Sequence, residues 1–188
     1  MFDFRNVRYN LNVGACSFDE IADRLREVEA DFVNPFLAAL HQTLQSMGHT
    51  SARKGCLSLV KSDKINGDAL VYLRVDGAIK GLVVLQLPEI VAKKLISIFL
   101  FGLPVFELDE MAKNCLREFS LRISELARGQ LVKKGYLANV FSQISVQKPI
   151  EFSKDRQFLV VPLETDHGEF KVYFNVIKTD PSKIAQVN

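Results

Sequence analysis

Over residues 107–135 the apolar side chains Leu108, Ala112, Cys115, Phe119, Ile123 and Leu126 recur at steps of three and four. That is the period of a helix with one buried face. The opposite side of the same helix carries Glu118, Arg122, Glu125 and Arg128, again three or four residues apart. Two readings of that side stand together. It is a solvated face laced with Glu118–Arg122 and Glu125–Arg128 ion pairs, each contributing about 0.2–0.5 kcal/mol, or it is a surface that meets a partner. The rest of the chain is arranged around this helix.

Upstream, Val7, Tyr9, Leu11 and Val13 alternate with polar residues, which predicts a half-buried strand ending at Gly14. Ser17 and Glu20 have capping-box spacing ahead of a stripe of Ile21, Leu25, Val28 and Phe32. Asn34-Pro35 predicts a kink or a helix restart, with Asn34 as cap and Pro35 at the first helical position. Phe36, Leu37, Leu40, Leu44 and Met47 then carry that helix to Gly48. Strands are expected at 56–60, 69–75 and 79–87, the last two joined by a hairpin turn over Asp76-Gly77 with positive φ at both positions. Residues 82–85 are all apolar, as in a strand buried on both faces, and Gly81 marks a close backbone approach.

Pro88 opens a further helix with Val91, Leu95 and Ile98 inward, closed by Gly102 and Pro104. Beyond the long helix, strands are expected at 144–152 and 157–163, with Pro149 and Pro162 at edges or bulges. A turn at Asp166-His167-Gly168 follows, with His167 as an exposed tip residue. Phe170, Val172, Phe174 and Val176 then share one face of the last strand.

Composition narrows the function more by exclusion than by indication. A chain of 188 residues with 48 % hydrophobic and 24 % charged residues holds one domain with a sizeable core. A net charge of +2 does not argue for nucleic acid or an anionic membrane as partner. Cys16, Cys56 and Cys115 are scattered, as in a reduced cytoplasmic protein. No apolar run reaches the length of a membrane span. Glycine-rich phosphate loops, metal-ligand spacings and nucleophile elbows are all missing, so no cofactor or metal is expected.

Four stretches carry a family resemblance: FVNPFLAALHQTLQSMG, GDALVYLRVDGAIKGLVVLQLPEIVAKKLISIFLFG, Ser124-Glu125-Leu126-Ala127 in the long helix, and VVPLETDHGEFKVYFNVIK. Together they resemble the CheX/CheC family of chemotaxis proteins over roughly residues 31 to 178. Residues 1–30 then form an N-terminal extension and 179–188 a polar tail. The resemblance implies an α+β fold, a largely antiparallel sheet with helices packed on one face, built as two helix–hairpin halves.

It also implies a partner, a response-regulator receiver, and a reaction, hydrolysis of the receiver's aspartyl phosphate by a Glu-x-x-Asn pair on an exposed helix. In that family the Glu bridges to a receiver lysine and the Asn holds the attacking water, while the receiver supplies the metal ion. Here Glu125 stands at the Glu position and Arg128 at the Asn position, with Arg122 and Glu118 beside them as binding residues. Leu121 and Val132 also depart from the family pattern. Three readings follow: a receiver-binding protein with weak or lost phosphatase activity, an active phosphatase with an altered pair, or a non-catalytic assembly module. Some relatives continue their sheet across a two-fold axis, so a homodimer is a further expectation.

Overall fold

Strand β4 (Ile79–Leu87) lies inside the sheet, as its run of apolar residues requires. Val83, Leu85 and Leu87 face one way and Leu82 and Val84 the other, and all five are buried. The computed structural model describes residues 30–48 and 50–179. The strand expected at 7–13, the helix start at Ser17 and the tail from residue 180 lie outside the described residues.

In chain order the elements are α1 (Ala30–Gly48), β1 (Arg53–Lys54), β2 (Ser58–Ile65), β3 (Ala69–Gly77), β4, α2 (Glu89–Phe99), α3 (Glu110–Lys133), β5 (Ala138–Val146), β6 (Ile150–Thr165) and β7 (Gly168–Lys178). The strands form one sheet in the order β1-β6-β7-β4-β3-β5, with β2 also on β6, and every pairing is antiparallel. The expected α+β architecture is therefore the observed one.

Alternation along the strands builds two separate apolar clusters. The larger joins the three described helices to Val71, Leu73, Val83, Leu85, Val161, Val172 and Phe174 on one side of the sheet. Phe36 meets Phe174 edge-on at 6.4 Å, Phe32 meets Tyr136 at 5.0 Å, and Phe99 stacks on Phe119 at 5.3 Å. The smaller cluster, on the other side, gathers Leu70, Leu82, Val84, Phe158 and Val160. Among the described residues no helix residue belongs to it. Ile65, Ile150 and Phe152, from the far ends of β2 and β6, cover it instead. A register shift between Ser62 and Lys64 lets that two-stranded ribbon curl across the sheet.

Several local expectations need correction. The helix restart at Asn34-Pro35 does not occur, because α1 runs through Pro35. Phe32, Val33, Phe36 and Leu37 are all buried around it, and their packing outweighs one missing backbone hydrogen bond. The segment 144–152 is two strands: β5 ends at Val146, Gln147 turns with φ 54, and β6 begins after Pro149. Strand 56–60 is really β2, which runs on to Ile65 through the polar Lys61-Ser62-Asp63-Lys64. The 76–77 turn has positive φ only at Gly77.

Pro162 lies within β6, opposite the break between β1 and β2, where its carbonyl accepts from the Gly55 N–H at 2.9 Å. Its absent N–H faces that same gap, so it takes no ladder bond from β7.

Candidate functional site

Helix α3 starts where the Asp109 carboxylate accepts the Ala112 N–H at 2.8 Å, satisfying one of the free donors of the first turn. It ends before Gly135, whose φ of 85° suits a residue without a side chain. One side packs on α1 and β5. The buried stripe is Ala112, Leu116, Phe119, Ser120, Ile123, Ser124, Ala127 and Leu131. It is rotated slightly from the expected one: Leu116 and Ala127 take the inward places given to Cys115 and Leu126, which are only half buried. Burial accordingly pushes the Cys115 thiol up, with Glu118 adding to the shift.

The other side brings the four expected site residues together. Glu118, Arg122, Glu125 and Arg128 are all exposed on one face. Glu125 and Arg128, three residues apart, are separated by about 4.5 Å of helix rise. Neither the Glu118–Arg122 nor the Glu125–Arg128 ion pair forms among the described residues. At exposed positions the ordering of two long side chains offsets most of the Coulomb gain. The ion pairs of α3 lie instead at its start, where Glu110 meets Lys113 at 2.7 Å and Arg117 at 3.7 Å. The Lys113 hydrogen bond is the main cause holding the Glu110 carboxyl below its ordinary range.

Sequence reasoning singled out Leu121 and Val132 but missed that Met111 joins them in an exposed apolar strip on this face. Met111, Leu121 and Val132 are 47, 49 and 49 % exposed, and helical spacing puts all three on the side of Glu118 and Glu125. Their places one residue out of the buried stripe were the available signal. The same face also repeats its pattern: Glu118 has Leu121 three residues on, as Glu125 has Arg128. Neither pair contains an amide.

A cavity of about 340 Å³ lies between α1 and β1, lined by Leu37, Leu40, His41, Ala52, Lys54 and Leu163. Burial there lowers the Lys54 amine to about 8. His167 is not a bare tip residue: its Nε2 lies 2.9 Å from the hydroxyl of the buried Thr50. Among the described residues no cluster of His, Cys, Asp and Glu is arranged to hold a metal ion, and no helix is long and apolar enough to cross a membrane.

No protein-family model and no curated protein matches the chain. Solved structures do. The chemotaxis protein CheX of Desulfovibrio desulfuricans superposes with a TM-score of 0.68 at 20 % identity, over 78 % of this chain and 99 % of that one. A CheC-like superfamily protein of Shewanella sp. PV-4 gives 0.69 at 22 %, over 81 % and 99 %. The CheX–CheY–BeF3–Mg2+ complex of Borrelia burgdorferi gives 0.65 at 20 %, over 80 % and 100 %. At such identities the likeness is one of architecture: this chain has the fold of the CheX and CheC-like chemotaxis proteins.

Proposed function

We propose that the chain is a CheX-like signalling protein of the cytoplasm that binds a response-regulator receiver through the exposed face of α3. In this reading it stimulates phosphate release weakly or not at all. The observation that carries it is the face itself: a charged and apolar strip, free of ion pairs among the described residues, on the longest helix of a CheX-like fold. The CheX–CheY complex among the similar structures supports a receiver as the partner.

Glu125 is the receiver-contacting residue, Arg122 and Glu118 flank it, and Arg128 occupies the amide position. A guanidinium has donors only and cannot accept a hydrogen bond from an attacking water. The repeat of the spacing one heptad earlier supports a second register, in which Glu118 makes the contact and the half-exposed Leu121 fills the amide position. Leucine offers no polar group at all. A homodimer belongs to the same proposal, because among the described residues β5 pairs only with β3, which gives a second copy an edge to extend. Sedimentation showing only monomer at micromolar concentration removes that part.

The decisive experiment measures phosphate release from a phosphorylated CheY-type receiver with wild type, Arg128→Asn and Leu121→Asn. Wild type should add little to the receiver's own rate. One of the two variants should recover part of the activity, and which one does so identifies the register. Recovery should be partial, since a misplacement of about 1 Å costs on the order of a hundredfold. An active wild type that loses activity in Arg128→Ala would overturn this reading in favour of an arginine acting on the phosphoryl oxygens. Absence of receiver binding would leave the assembly-module reading.

A further inference from the structure

We infer that α3, seated on a phosphorylated receiver, shields the aspartyl phosphate from water and prolongs its life; the inference rests on the receiver-binding reading above. It follows from a census of hydrogen-bond acceptors on the exposed face. Over its central turns that face consists of Glu118, Leu121, Arg122, Glu125 and Arg128. Ser120 and Ser124 are buried, and their hydroxyls donate back to the carbonyls of Arg117 and Leu121 at 2.7 and 2.8 Å. The Asn114 amide oxygen, one turn earlier, accepts from the Arg117 guanidinium.

Hydrolysis of an acyl phosphate requires a water oxygen to approach phosphorus opposite the bond to the aspartyl carboxylate. That P–O bond then breaks, leaving the carboxylate and inorganic phosphate. A docked helix speeds the step by holding that water or, in the reading that the phosphate-release experiment tests, by an arginine acting on the phosphoryl oxygens. Leu121, Arg122 and Arg128 have no acceptor. Glu118 and Glu125 have acceptors, but their negative charge opposes approach to the anionic phosphoryl oxygens. Arg122 and Arg128, three residues to either side of Glu125, favour those same oxygens, since guanidinium and phosphate pair by strong charge-assisted hydrogen bonds. Leu121, with Met111 and Val132 farther along the face, excludes bulk solvent once covered. Both registers lead to one outcome, because the residue three beyond either glutamate accepts no hydrogen bond from water.

The test uses the intact chain and a CheY-type receiver from the source organism. Binding is first measured with the receiver loaded with beryllofluoride and Mg2+. The half-life of the phosphoramidate-phosphorylated receiver is then followed with and without the protein. At a free concentration of about ten times Kd, about nine-tenths of the receiver is covered, so complete shielding lengthens the half-life about tenfold. A several-fold lengthening supports the inference. Arg128→Asn or Leu121→Asn, by restoring an amide acceptor on a surface position, should shorten the half-life again. A receiver that binds while its half-life stays unchanged or falls overturns shielding but leaves receiver binding intact. Lengthening that neither variant reverses overturns the acceptor argument. If no receiver binds, the receiver-binding reading fails and shielding falls with it.

Discussion

Replacing Gly81 by alanine tests how the centre of the sheet is assembled. Gly81 has φ 149, a conformation that residues with a side chain rarely adopt, and it stands opposite Val176 in the β4–β7 ladder. A Cβ built there would lie 2.0 Å from the Asn175 carbonyl oxygen and 2.7 Å from the Val176 Cα. Both obstacles are backbone, so no rotamer change relieves them, and β7 must retreat by roughly 1 Å to restore ordinary contact. The backbone strain costs about 1–3 kcal/mol, and each weakened ladder hydrogen bond about 1 kcal/mol. We expect Gly81→Ala to lose about 3–4 kcal/mol, a fall in Tm of about 6–16 °C for a domain of this size. Urea titration followed by far-ultraviolet circular dichroism measures the first and a thermal melt the second. A loss below about 1 kcal/mol would refute the close β4–β7 approach.

Gly129 makes the contrasting case: a Cβ there meets nothing within 4 Å, and the residue is exposed within α3. Gly129→Ala should therefore stabilise by about 0.5–1 kcal/mol in the same titration, and a loss would show that the helix is not regular there. Asp109→Ala removes the α3 cap and should cost about 1 kcal/mol, with Asp109→Asn costing far less; equal losses would contradict capping. Lys54, with its amine lowered to about 8 from 10.5, binds fewer protons folded than unfolded between those values. Its penalty to folding is thus full below pH 8 and relieved as the pH rises toward 10.5. Stability measured at pH 7.5 and 10 should show a rise in wild type that is reduced in Lys54→Met, and identical slopes would refute the partial desolvation of the amine.

The parts of the fold that could be read from sequence were those where one physical demand dominates. The run at 79–87 can only be a strand covered on both sides, and the alternation from Phe170 to Val176 can only be half buried. Glu125 and its neighbours are exposed as their spacing required. Where demands compete, sequence was a poorer guide. At Pro35 the local preference for a helix start yields to the packing of Phe32 and Phe36. In β5, an edge strand with one covered face, Asn139, Ser142 and Gln143 hide the alternation, while the exposed Phe141 is held under the Arg74 guanidinium at 5.0 Å. The exact rotation of α3 escaped because Cys115–Leu116 and Leu126–Ala127 each offer two apolar candidates for one inward place.

The ribbon of β2 and β6 that folds over the second cluster also limits how such a chain can diverge. The sheet's rear is sealed by strand ends of the same chain, in a register that pairs Ile65 with Ile150. Shortening either strand alone would slide Ile150 and Phe152 away from Leu70 and Val84 and turn their side chains outward. Insertions and deletions near residues 61–65 and 150–157 must therefore arise in matched pairs during descent. Residues 110–133 lie on the opposite side of the sheet and are free of that coupling. Their outer surface can change residue by residue without disturbing the architecture beneath, so that surface and the scaffold under it can diverge separately.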